Sequence, residues 1–124
     1  MSDRKTILLV EDDVVLRDLY TTRFGLSNFQ TEVATDGEEG LKKATDLKPS
    51  VILLDLRIPK LSGFEVLRKL KQQKETKDIP VIVLTALSGD EDRKAVMDGG
   101  AAAFLTKSET VPKQVLEEIE KVLK

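Results

Sequence analysis

The 124-residue chain has no cysteine, histidine or tryptophan, and only 4% of its residues are aromatic. Those absences remove disulfides, thiolate and imidazole metal ligands, cysteine nucleophiles and Ser-His-Asp triads together. A metal ion would therefore have to sit among carboxylates, carbonyls and water, which favours hard cations such as Mg2+ over zinc or copper. A general base is expected to be a carboxylate or a lysine. Neither charge sign dominates: 20 Lys and Arg stand against 22 Asp and Glu, a formal charge of -2. Nothing in that balance suggests a polyanion-binding surface, so direct nucleic-acid binding and an anionic-membrane anchor are not expected. Long hydrophobic runs are missing too. Ile7 to Val10 is too short for a signal-peptide core, and Asp55 interrupts the apolar stretch that begins at Val51, so no membrane span and a cytoplasmic location are expected.

What is present fits one compact α/β domain over residues 1–124, because 40% hydrophobic content at this length supports one core and leaves no room for a second. Three short runs, Ile7 to Val10, Val51 to Leu54 and Val81 to Leu84, are rich in β-branched residues without polar alternation. That pattern predicts central parallel strands covered on both faces. Phe29 to Ala34 alternates through Gln30 and Glu32 as an edge strand would, and Ala102 to Thr106 is a weaker fifth strand. Helical signals lie between them. Asp36 to Glu39, Ser62 to Glu65 and Ser88 to Glu91 each have capping-box spacing. The last segment places Val111, Val115, Leu116, Ile119, Val122 and Leu123 on one face of an amphipathic helix. Strand then helix, five times over, predicts a five-stranded parallel sheet, doubly wound as a (βα)5 three-layer α/β/α sandwich.

In such a sheet, ligands bind beyond the carboxyl ends of the strands. Here those ends carry Glu11-Asp12-Asp13, Asp55, Thr85 and Thr106-Lys107. Each has an ordinary reading: the acids as a solvated loop or helix cap, Asp55 as a structural carboxylate, Thr85 as a strand residue and Lys107 as a surface lysine. Together they have another. Clustered carboxylates repel and raise one another's pKa unless a divalent cation or a lysine offsets the charge. Mg2+ held by one or two of them, by water and by a phosphoryl oxygen would suit that ion, and phosphoryl transfer to Asp55 would follow.

Four segments in order, ILLVEDD (Ile7 to Asp13), LLDLRIPKLSGFE (Leu53 to Glu65), IVLTA (Ile82 to Ala86) and GAAAFLTK (Gly100 to Lys107), make the sequence similar to the bacterial response-regulator receiver family, including its single-domain chemotaxis members. The resemblance covers essentially the whole chain and implies a flavodoxin-like strand order of 2-1-3-4-5. Carried over by position, it implies Asp55 as phosphoacceptor, Asp12 as a direct metal ligand, Glu11 as a second acid acting through water and the Arg57 backbone carbonyl as a further ligand. The implied cofactor is Mg2+, with Mn2+ as an alternative. Thr85, followed by Ala86, and Lys107 match the residues that contact the phosphoryl group, and Phe104 matches the aromatic position that shifts with it. Pro59 and Gly63 match positions that shape the loop after Asp55, while Arg57 and Leu87 fall where the lifetime of the phosphorylated state is tuned.

The resemblance further implies phosphorelay signalling: a histidine kinase or histidine phosphotransfer protein as donor, an output surface on helix four, strand five and helix five, and a monomer or phosphorylation-dependent dimer. No enzymatic turnover is implied beyond the chain's own phosphorylation and dephosphorylation. Two positions depart from the family pattern. Ser108 replaces a proline that often carries a cis bond; a non-proline cis bond costs about 3 kcal/mol, so a trans bond and a repositioned loop are expected. The alanine run Ala101 to Ala103 replaces polar residues and alters a surface used in partner choice. Rival readings are weaker. A haloacid-dehalogenase-type phosphatase needs a DxD pattern, whereas Leu56 and Arg57 follow Asp55. A flavin binder needs a Ser, Thr and Gly-rich phosphate loop where acids stand here. A pseudo-receiver that signals without phosphorylation is the remaining alternative.

Overall fold

In the computed structural model, which describes residues 4–124, strands and helices alternate throughout. The order is β1 (Thr6–Val10), α1 (Val14–Leu26), β2 (Gln30–Ala34), α2 (Gly37–Leu47), β3 (Val51–Leu54), α3 (Gly63–Gln72), β4 (Val81–Thr85), α4 (Asp90–Asp98), β5 (Ala103–Thr106) and α5 (Pro112–Val122). All neighbouring strands pair in parallel, in the order β2-β1-β3-β4-β5.

The unalternating strands are explained by the two cores. Leu8, Val10, Ile52, Leu54, Val81 and Val83 point to one face, where Ala44 of α2, Val66, Leu67 and Leu70 of α3 and Val96 of α4 cover them. Ile7, Leu9, Val51, Leu53, Ile82 and Leu84 point to the other, beneath Tyr20 and Phe24 of α1 and Val115, Leu116 and Ile119 of α5. Successive residues thus enter opposite layers, and both sets are buried. Each such Leu, Ile or Val contributes roughly 1.5–3 kcal/mol by leaving water, so the strand cores are the least movable part of the molecule. The polar ends just beyond them are held on a rigid frame.

Helix starts depart in part from the sequence expectation. Asp36 and Ser62 do cap α2 and α3, accepting from the Glu39 N–H at 2.8 Å and the Glu65 N–H at 3.3 Å. The reciprocal carboxylate bonds differ: Glu39 accepts from the Thr35 N–H at 2.7 Å, and Glu65 pairs with Arg68. Ser88 does not cap α4, which starts after Gly89 without a side-chain cap bond. The loop stays irregular for one residue longer, and Asp90, Glu91 and Asp92 in the first turn complement the positive end of the helix dipole instead. On α5, Val111 is the exposed N-cap rather than a core residue, while Val115, Leu116 and Ile119 are buried. Phe29 precedes β2 but is buried in the α1/α5 core. Among the described residues, no helix is long and apolar enough to cross a membrane.

Candidate functional site

The carboxyl ends of β1, β3, β4 and β5 bring Glu11, Asp12, Asp55, Thr85 and Lys107 to one edge of the sheet. Adjacency of β1 and β3 accounts for the acids. Val10 pairs with Leu54, so the residues that follow them emerge side by side, and the Asp55 N–H donates to the Val10 carbonyl at 3.1 Å.

Carboxylate oxygens of Glu11, Asp12 and Asp55 lie within 4.8 Å of one another. At that spacing, and at an effective dielectric of about 20, two ionised carboxylates repel by roughly 3 kcal/mol. Lys107 offsets this. Its Nζ lies 2.9 Å from Glu11 Oε1 and 2.8 Å from Asp55 Oδ2, crossing from β5 past β4 to do so. Burial pushes the Glu11 carboxyl above its usual range, as does the charge of Asp55; bonds from Lys107 and from the Asp13 N–H only partly oppose the shift. Burial pulls the Lys107 ammonium down, but its two carboxylate partners outweigh that and hold it above its ordinary value.

The surrounding backbone fixes the acids. Glu11 Oε2 accepts from the Asp13 N–H at 3.1 Å, and Asp55 Oδ1 accepts from the Arg57 N–H at 3.2 Å. Asp13 faces away from the cluster as the cap of α1, accepting from the Val15 and Leu16 N–H groups at 2.9 and 3.1 Å. For that residue the helix-cap reading is the one the structure shows. Asp12 is exposed, whereas Glu11 and Asp55 are buried. Gly63 allows α3 to start against β3: a Cβ there would overlap the Asp55 carbonyl and the Leu56 Cα. Its N–H donates to the Leu56 carbonyl at 3.0 Å, and the exposed Pro59 lies in the same loop.

Thr85 is fully buried and pairs in register with Thr106. Its Oγ1 accepts from the Leu87 N–H at 3.3 Å, which leaves the hydroxyl proton free to donate elsewhere. Ala86 beside it is exposed. Phe104 is buried in the α2/α3/α4 core, with the Arg93 guanidinium of α4 over its ring at 4.7 Å from the centroid. Ser108 lies in a single 3-10 turn, Lys107–Glu109, and the described chain has no cis peptide bond. The Lys107-Ser108 bond is therefore trans, and the lysine still reaches both acids. Of the alanine run only Ala102 is exposed; Ala101 is buried and Ala103 half-buried, so less of it is surface than its sequence suggested.

Two neighbours carried no clear signal in the sequence. Arg17 reaches back from α1 to the Glu11 and Asp12 carbonyls at 3.4 and 3.3 Å, a bridge that only the helix geometry creates. Tyr20 is buried on the same helix. Burial raises its hydroxyl pKa, and the charges of Lys107 and Glu11 act on it in opposite directions.

Three hard oxygen donors converging beside one ammonium fit a divalent cation such as Mg2+ and a phosphoryl group, and offer nothing to a soft metal. Sheet order and acid-lysine edge together define a CheY-like receiver domain. The chain belongs to the response regulator receiver family, whose model matches residues 7–120.

Among curated relatives, the polar-differentiation response regulator DivK of Brucella anthropi is 33% identical over 109 residues, covering 88% of this chain and 89% of DivK. The DNA-binding dual master transcriptional regulator RpaA of Synechocystis sp. is 39% identical over 101 residues; the match covers 82% of this chain but only 42% of RpaA. Among solved structures, a CheY-like receiver domain protein from Methanospirillum hungatei superposes with a TM-score of 0.90 at 26% identity, covering 98% of this chain and 94% of that one. Chemotaxis protein CheY4 of Vibrio cholerae gives 0.89 at 28% identity, with 97% and 99% covered.

Proposed function

We propose that this receiver domain accepts a phosphoryl group on Asp55 in a Mg2+-dependent reaction and thereby switches a protein-interaction surface. The observation that carries this reading is the Lys107 ammonium held between Glu11 and Asp55 at 2.9 and 2.8 Å. It is a cation poised where a transferred phosphoryl group would need one. With no histidine in the chain, a phosphohistidine donor must be on another protein, a histidine kinase or a histidine phosphotransfer protein. The reaction breaks that donor's N–P bond and forms an O–P bond on Asp55. The chain is thus acceptor and catalyst of its own modification rather than an enzyme that turns over a substrate.

Mg2+, held by Asp12, Asp55 and the Arg57 carbonyl with Glu11 acting through water, would neutralise charge on the phosphoryl oxygens. The protein supplies the rest. Asp55 is fixed at Oδ1 by the Arg57 N–H, so the carboxylate is oriented before the donor arrives. Lys107 moves from the carboxylate it pairs with to a phosphoryl oxygen, and the Thr85 hydroxyl donates its free proton to another. Drawing Thr85 inward draws its loop with it and gives Phe104 room to repack, which alters the face formed by α4, β5 and α5. The expected setting is the cytoplasm, with the protein a monomer or a phosphorylation-dependent dimer.

Intact mass after incubation with phosphoramidate and Mg2+ tests the reading. One added phosphoryl group is expected, absent without metal and absent in Asp55→Asn. No adduct at short sampling times, together with no beryllofluoride binding, would favour the pseudo-receiver.

A further inference from the structure

The loop between β3 and α3 carries the Arg57 carbonyl, and its shape is enforced at three points. Gly63 bonds the Leu56 carbonyl, Asp55 bonds the Arg57 N–H, and the Pro59 carbonyl accepts from the Gly37 N–H at 3.1 Å. The first two pins lie within the segment from Asp55 to Gly63. The third comes from another element, the first residue of α2.

That third pin is tightly built. Gly37 is buried, and a Cβ on it would overlap the Leu61 carbonyl, so helix and loop meet backbone to backbone. The Leu61 N–H also donates to the Pro59 carbonyl, at 2.8 Å, closing a three-residue turn around Lys60. Lys60 has φ of 70°, a left-handed conformation that a lysine adopts only when its surroundings impose it. Asp36, the cap of α2, adds a 3.7 Å pairing to the Lys60 ammonium.

We infer that Gly37 is a positioning residue for the phosphoryl-transfer site: its contact with the Pro59-Leu61 turn sets where the Arg57 carbonyl lies relative to Asp55. This rests on the Mg2+-dependent reading above. A side chain at 37 must push the turn away from α2, and Arg57, two residues before Pro59, moves with it. Glu11 and Asp12, after β1, are outside this loop, and Lys107 still holds Asp55 at Oδ2.

The test compares the parent chain with Gly37→Ala and with Ala44→Gly, a buried change seven residues further along the same helix. Mg2+ is titrated while thermal stability and the backbone amide resonance of Arg57 are followed, and phosphorylation by phosphoramidate is timed across the same Mg2+ range. Gly37→Ala should raise the Mg2+ Kd at least threefold and shift the Arg57 amide in the metal-free protein. Its phosphorylation rate should recover to within twofold of the parent at saturating Mg2+. Ala44→Gly should lower thermal stability with the Kd unchanged. If Gly37→Ala alone does not fold, Gly37→Ala/Lys60→Gly carries the same comparison, since glycine at 60 lets the turn move at little cost. A Kd rise of less than threefold in the folded variant, or an equal rise in Ala44→Gly, overturns the inference. If the parent itself binds no Mg2+, the reading of the site falls first and this inference with it.

Discussion

Lys107 holds two carboxylates with one ammonium, so its removal should hurt most where no other cation is present. Without Mg2+, Lys107→Ala is expected to lose about 1–3 kcal/mol of stability in urea unfolding, because Glu11 and Asp55 then face each other unscreened. Added Mg2+ should recover much of that loss while phosphorylation stays slow, since the metal replaces the charge but not the ammonium's contact with the phosphoryl group. Equal losses with and without Mg2+ would show that the lysine acts mainly through its packing. Lys71 offers a separate pH signature. Its ammonium donates to the Lys77 and Ile79 carbonyls at 3.1 and 3.0 Å, yet burial pulls its pKa below 10.5, with the charge of Asp78 only partly opposing. Between the folded and unfolded values the unfolded chain binds more protons. Stability should therefore gain from this residue as pH rises toward 10.5, and Lys71→Met should lack that gain when unfolding is compared across alkaline buffers.

Helix starts give the sharpest contrasts among the elements. Asp13→Ala removes a carboxylate that accepts from two N–H groups of α1 and should cost about 1 kcal/mol, whereas Ser88→Ala should change stability by less than about 0.5 kcal/mol. A matched pair of urea midpoints decides it. The two sites also mark how far the sequence could be read. Ile7 to Val10 and Val51 to Leu54 announced buried strands because burial on both faces removes polar alternation, and that put Glu11 and Asp55 at strand ends; that the two strands are neighbours came only from the family resemblance. Cap spacing is a weaker signal, because it records which residues can bond and not where the chain first turns: Asp36 and Ser62 capped, while Ser88 lay one residue too early. Arg17 and Gly37 were silent for a different reason. One acts through a helix turn and the other through a backbone contact between α2 and the β3-α3 loop, and neither pairing leaves a pattern along the chain.

Across the whole molecule, Mg2+ binding at the proposed site would be coupled to folding, because the three acids converge in the folded sheet. At a Mg2+ concentration 100 times its Kd the folded state should gain about 2.7 kcal/mol. Thermal unfolding of the parent should shift upward accordingly, and Asp12→Asn should abolish most of the shift; an unchanged shift would place the ion elsewhere. The site draws on both the first and the last strands of the chain. β1, β2 and β3 are neighbours and come first in the chain, so Glu11, Asp12 and Asp55 all belong to the first half of the sequence. Lys107 lies 52 residues beyond Asp55 and arrives with the last strand. Without that strand in place, Glu11 and Asp55 lack the ammonium that offsets their charge. The lysine's two ion pairs therefore join the last strand to the first and third, and they exist only when all five strands have paired.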